Sequence, residues 1–117
     1  MREATEISYD KATKQLTVSF DDGKSFTLAA ELLRVKSPSA EVQGHSPAER
    51  KVIAGRRHVG IIGIEPVGNY AVKLSFDDLH DTGLYSWAFL YELGEKQETT
   101  WQTYLDELAA LGLNRDP

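Results

Sequence analysis

Cysteine is absent from the 117 residues, and the chain has a single methionine, two tryptophans and four prolines. Without thiols there can be no disulfide framework, no Cys-ligated zinc or iron–sulfur centre and no thiol nucleophile. Long apolar runs are missing as well. Nowhere do about 18 apolar residues follow one another, as a membrane span requires, and MREATEISYD at the start has no stretch resembling the apolar part of a secretory signal. A cytoplasmic location is therefore expected. The sequence also lacks a Gly-x-Gly-x-x-Gly fingerprint, a phosphate-cradling loop ending in Lys-Ser/Thr and a Gly-x-Ser-x-Gly elbow.

Positive charge is in short supply. Thirteen Lys+Arg against 18 Asp+Glu leave a net charge of -5 and a pI near 5.1, which argues against nucleic acid or an anionic membrane as the main partner. The shortage is local: residues 1–58 hold ten Lys+Arg and eight Asp+Glu, residues 59–117 three and ten. The cations of the first half gather at Arg50, Lys51, Arg56, Arg57 and His58. Such a run reads as an anion or nucleic-acid patch or, more simply, as a solvated face.

What remains is ordinary globular material, with 41 % hydrophobic and 26 % charged residues, enough for one domain over residues 1–117 with its own core. Ile7 and Tyr9, then Leu16, Val18 and Phe20, then Phe26 and Leu28 alternate at period two around polar turns, predicting β-structure. A short helix is predicted from Ala29 to Arg34, ended by Ser37-Pro38-Ser39. Ser46-Pro47-Ala48-Glu49 carries a helix-start pattern, predicting a helix that turns Val52 and Ile53 inward and stops at Gly55. Val59 to Glu65 is apolar on both faces, as in a covered central strand, and Val72, Leu74 and Phe76 form its partner. Ser86 caps a predicted helix from Trp87 to Leu93 with Gly94 at its end. Trp101, Tyr104, Leu105, Leu108 and Leu111 mark the last helix, after which Asn114 to Pro117 should fray. The expected fold is α+β, a small mostly antiparallel sheet with two or three packed helices.

Ser19-Phe20-Asp21-Asp22 recurs as Ser75-Phe76-Asp77-Asp78. A duplicated half-domain explains this echo, and so do two independent hairpins with acidic turns. The second copy opens the densest group of potential ligands, Asp77-Asp78-Leu79-His80-Asp81. His80, Asp78 and Asp81 could hold a divalent metal or form an acid–base pair; the plainer reading is a polar turn with a hydrogen-bonded histidine. His45 and His58 are further possible ligands. The aromatics Tyr85, Trp87, Phe89 and Tyr91 either line a groove or fill the core.

The strings Arg57-His58-Val59-Gly60, Glu65-Pro66-Val67-Gly68-Asn69-Tyr70 and Phe76 through Gly83-Leu84-Tyr85-Ser86-Trp87 resemble the gamma-butyrobetaine hydroxylase-like N-terminal domain. Leu33-Arg34, Ser37 to Glu41 and Gly44-His45 resemble its small stand-alone bacterial members. In the hydroxylases the resemblance implies an accessory module, separate from the iron- and 2-oxoglutarate-dependent catalytic domain, so no oxygenase activity transfers to this chain. It further implies a zinc-binding fold with three Cys after a Leu-Arg pair and one His. The His matches His80, while the Cys positions fall near Ser37, Ser39 and Val42. With the thiolates gone, no structural zinc is expected and no cofactor is predicted, another divalent metal being left open. Fusions of this module to ATPases that carry iron–sulfur clusters, also implied by the resemblance, point to a non-catalytic interaction or adaptor module with a protein partner. The contact surface is expected around Glu65, the Asp77–Asp81 turn and Tyr85. The alternative is a metal-binding accessory protein of an oxygenase system, with His80, Asp78 and Asp81 as ligands.

Overall fold

Alternation at period two builds most of the molecule. The computed structural model describes residues 2–117. Strands β1 (Ala4–Asp10), β2 (Gln15–Phe20) and β3 (Ser25–Ala29) form one antiparallel meander, and β4 (Ile61–Val67), β5 (Ala71–Phe76) and β6 (Gly83–Ser86) form another. The fold is α+β as expected, with two sheets where one was foreseen. Leu16, Val18, Phe20 and Leu28 from the first sheet share one core with Ile61, Val72, Leu74, Phe76 and Tyr85 from the second. Each large apolar side chain fully buried there contributes about 1.5–3 kcal/mol.

Helices α1 (Ala30–Val35) and α3 (Trp87–Glu95) close that core with Leu32, Leu33, Leu90 and Leu93. The Ser86 hydroxyl caps α3 by accepting the Phe89 N–H at 3.1 Å, as predicted. Gly94 lies inside α3 and does not end it. A Cβ there would stand 2.3 Å from the Phe26 ring, so the missing side chain lets helix and strand approach. The last helix, α4 (Gln97–Ala110), joins Tyr104 and Leu108 to Val35 in a smaller cluster. Leu111 falls beyond it and is exposed.

Three further expectations are corrected. No helix follows Ser46: Pro47–Glu49 make one 3₁₀ turn, and the Glu49 carboxylate accepts the His45 N–H where a cap would need Ser46. Residues 50–60 then run without regular structure, although Val52 and Ile53 do pack inward. The apolar segment at 59–65 is no central strand. β4 is an edge, with Pro66 tolerated because an edge strand can spare an N–H, and Ile62 is 68 % exposed. Finally, the tail is tied down, since Arg115 makes two hydrogen bonds to buried Glu31, at 2.8 and 2.7 Å, and Gly55 N–H donates to Asn114 O. A short α-helix, α2 (Ala40–Gln43), capped by Ser39, went unpredicted.

The two meanders are built alike. The first strand pair of each is shifted by a bulge, at Ala4/Glu6 and at Ile61/Gly63. The third strand of each runs straight into a helix. The Phe-Asp-Asp echo is the turn between second and third strands in both. Gly23 N–H donates to Phe20 O and Phe20 N–H to Lys24 O, just as Leu79 N–H donates to Phe76 O and Phe76 N–H to His80 O. The likeness thus reaches well beyond four residues of sequence.

Candidate functional site

The turn from Phe76 to Asp81 carries the predicted site residues, and Asp78 organises it. One carboxylate oxygen accepts the His80 N–H at 3.2 Å; the other accepts Nε–H from both Arg34 and Arg56 at 2.7 Å. Burial alone would raise this carboxyl's pKa, but the hydrogen bonds from Arg34, His80 and Arg56 and the Arg34 charge hold it below the usual carboxylate range. Arg34 itself projects from α1 and is buried, with its Nη1 lacking a hydrogen-bond partner among the described residues.

His80 is turned inward, its side chain 3 % exposed. Nδ1 lies 2.9 Å from a Glu41 carboxylate oxygen and Nε2 lies 2.8 Å from Ser37 Oγ. Because a carboxylate only accepts, Nδ1 carries a proton, and in the neutral ring the Ser37 hydroxyl donates to Nε2. Serine, histidine and glutamate stand here in the order of a hydrolytic relay. Ser37 is nevertheless fully buried, accepts the Ser39 N–H, and sits so close to Gly83 that a Cβ there would be 2.6 Å from its Oγ. No substrate carbonyl can reach that oxygen, so the relay serves as a stitch between β6, the α1–α2 loop and the turn.

The same contacts engage the residues expected as metal ligands. Both His80 ring nitrogens have protein partners, and Asp78 is held by two arginines. Asp81 is exposed, and His45 and His58 lie in exposed segments. Among the described residues no three His, Asp or Glu side chains gather as a metal site. The zinc positions implied by resemblance do fold toward one another: Ser37 touches His80, and Ser39 Oγ is 2.6 Å from Thr82 Oγ1. Val42, buried in α2, offers no donor atom. Two hydroxyls, a hydrocarbon and one imidazole do not fit a zinc ion.

The expected contact surface is partly redrawn. Glu65 is exposed and pairs with Lys73 at 3.4 Å on the outer face of the second sheet. Tyr85 points the other way, fully buried, and its hydroxyl donates to Leu33 O; burial drives its pKa upward. Its neighbour Leu84 faces out. The basic run is largely spent on internal pairs, Arg50 with Glu107, Arg56 with Asp78 and Arg57 with Asp116.

Sequence reasoning passed over the least comfortable residue of the turn. Leu79 has φ +72° and is 84 % exposed. That conformation crowds an L side chain and costs about 1–2 kcal/mol, and its packing returns nothing. The matching position in the first turn is Gly23, at φ +85°. Alignment of the two echoes, Asp-Asp-Gly against Asp-Asp-Leu, was the available signal.

Comparison with known proteins gives a consistent picture. Residues 7–91 match the family model described as gamma-butyrobetaine hydroxylase-like, N-terminal. Two NMR solution structures are similar along the whole chain, at 50 % and 49 % identity with a TM-score of 0.87 each; the chain covers 92 % and 87 % of them. A crystal structure of a DUF971-family protein of unknown function from Acidithiobacillus ferrooxidans is 33 % identical with a TM-score of 0.67, over 79 % of this chain and 92 % of that one. No curated protein matches.

Proposed function

The chain belongs to the gamma-butyrobetaine hydroxylase-like N-terminal family, and from that premise we propose that it is a non-catalytic interaction module that docks through the Asp77–Asp81 turn and the outer face of β4–β6. Leu79 carries this reading. A bulky side chain held in a strained conformation and left in water is a feature that folding alone would discard, and such outliers gather where a protein meets something else. The second sheet exposes two more apolar residues, Ile62 and Leu84, and the turn itself exposes Asp77 and Asp81. The matching partner surface is an apolar pocket rimmed by Lys or Arg. Family resemblance makes a metalloenzyme or an iron–sulfur assembly protein the first partner to try. The buried Ser37–His80–Glu41 stitch and the Arg34–Asp78–Arg56 pairs would then hold the turn rigid for docking, which lowers the ordering cost of binding.

The test places a photo-crosslinking amino acid at Leu84 and, as a control, at exposed Leu113, in the native cell. One discrete adduct from position 84, absent from position 113 and lost with Leu79→Gly, is expected. The same adducts from both positions, or none from position 84, would overturn the proposal.

A further inference from the structure

At the opposite end of the second sheet, between the β4–β5 turn and α3, lies an open groove of about 630 Å³. Three aromatic residues line it, and each is differently disposed. Tyr70, in the turn, is 56 % exposed. Trp87, at the start of α3, is half-buried, its indole N–H donating to Asn69 O at 2.8 Å and its backbone N–H to Tyr70 O at 3.0 Å, so turn and helix are pinned together. Tyr91 is buried and shows the groove one ring face. Glu92 and Glu95 stand on the rim, both well exposed, Glu92 beside Lys96 Nζ at 3.1 Å and Glu95 beside Lys24 Nζ at 3.3 Å, surface pairs that an incoming guanidinium can displace.

This groove already holds a cation from its own chain. The Arg2 guanidinium carbon lies 4.0 Å above the centre of the Tyr91 ring, with Lys24 Nζ at 5.6 Å from the same ring. A planar guanidinium over an aromatic face is attracted by the ring quadrupole and loses little hydration in getting there. Arg2 is anchored only loosely besides, 3.6 Å from Asp22 with more than half of its side chain in water. Exposed aromatic surface at Tyr70 and Trp87 and the two rim carboxylates extend the same chemistry past the point where Arg2 stops.

We infer that this groove is a second recognition site, for an arginine side chain of a partner peptide, which stacks on Tyr70 and Trp87 beneath Glu92 and Glu95, with Arg2 as a partial internal competitor. The inference rests on neither Leu79 nor the Asp77–Asp81 turn. Guanidinium suits the site better than ammonium because it stacks as well as pairs, and the seated Arg2 demonstrates the fit.

N-acetyl-arginine amide, titrated into the full chain and followed by two-dimensional amide and indole NMR, is the probe. The isosteric neutral analogue, N-acetyl-citrulline amide, is the control. Saturable shifts are expected at Tyr70, the Trp87 indole and Glu92, with citrulline at least about tenfold weaker. Tyr70→Ala should weaken binding about fivefold with little change in melting temperature, since the residue is more than half exposed. Arg2→Ala should tighten binding two- to threefold by removing the competitor. Equal binding of citrulline, shifts centred elsewhere, or no response to Tyr70→Ala would each overturn the assignment. Weaker binding in Arg2→Ala would overturn the competitor role and make Arg2 part of the groove wall.

Discussion

Residues 2–37 and 59–94 are two versions of one β-β-β-α unit, and each clasps the other by the same pair of contacts. Tyr91 of α3 reaches back to the first turn and donates its hydroxyl to Asp22 at 2.6 Å; Arg34, at the equivalent place in α1, reaches forward to Asp78 in the second. The Phe26 ring of β3 occupies the space beside Gly94 of the second half, and Ser37 of the first half occupies the space beside Gly83 of β6. Even the strand-to-helix links correspond, Ala30 N–H to Lys14 O and Trp87 N–H to Tyr70 O. With so much shared, the differences isolate what folding does not require. Gly23 becomes Leu79, Lys24 becomes His80, a Tyr hydroxyl on the Asp22 carboxylate becomes a guanidinium on that of Asp78, and a large-on-small contact becomes small-on-small. The first turn has glycine at its left-handed position, while the second carries a strained, exposed leucine and a buried guanidinium.

The largest expected effect tests the reciprocal packing. Gly94→Leu, which drives a side chain into the Phe26 ring, should cost about 3 kcal/mol in denaturant unfolding, and Gly83→Ala, whose single methyl meets the Ser37 hydroxyl at 2.6 Å and the Tyr85 ring at 2.9 Å, should cost less. A Gly94→Leu protein as stable as the wild type would break the correspondence. Next comes the turn carboxylate. Asp78→Ala leaves buried Arg34 unpaired and should cost about 2–3 kcal/mol, whereas Asp22→Ala should lower the melting temperature by much less. Because the folded-state pKa of Asp78 is depressed, its contribution is complete above the ordinary carboxylate range and is lost as pH falls through the folded value. Asp78→Asn should therefore flatten the acid side of the stability–pH curve, measured by melting temperature from neutral pH downward. An unchanged acid limb would place the acid-sensitive group elsewhere.

The smallest effects bear most on function. Gly23→Leu should destabilise by about 1–2 kcal/mol, while Leu79→Gly should be neutral or stabilise by up to about 1 kcal/mol, relief of strain being set against the added freedom of the unfolded chain. Urea melts of the two variants decide the matter. Should Leu79→Gly instead destabilise markedly, Leu79 would be a folding residue after all and the docking argument would lose its basis.

Much of the fold was legible where a short-range pattern dictates it. Alternation located four of the strands, the apolar run at 59–65 a fifth, and Ser86 with its following apolar residues located α3. Failures came where long-range partners intervene. Ser46-Pro47-Glu49 has the letters of a helix start, but Glu49 accepts the His45 N–H, and Val52 and Ile53 bury against Tyr104 and Leu108 from an irregular segment. Val59 to Glu65 has the composition of a central strand, yet composition cannot say whether a third strand lies beyond it. The tail has the polarity of a frayed end and is fixed by Glu31, eighty-four positions away.

The candidate site divides in the same way. Sequence by itself determined the absence of thiol chemistry, the acidic turn, its repetition, the family, and the meeting of His80 with the positions of Ser37 and Ser39. Tertiary structure alone decided that both ring nitrogens of His80 are engaged, that Tyr85 points inward and Leu84 outward, and that Arg34 and Arg56 converge on one carboxylate. Backbone preference is written in neighbouring residues, because sterics act over a few bonds. Which charges are neutralised, and which apolar groups stay in water, depends on atoms that only folding brings within a few ångströms. Leu79 lies on that boundary: its turn could be read from Phe-Asp-Asp, but its exposure, and hence its meaning, could not.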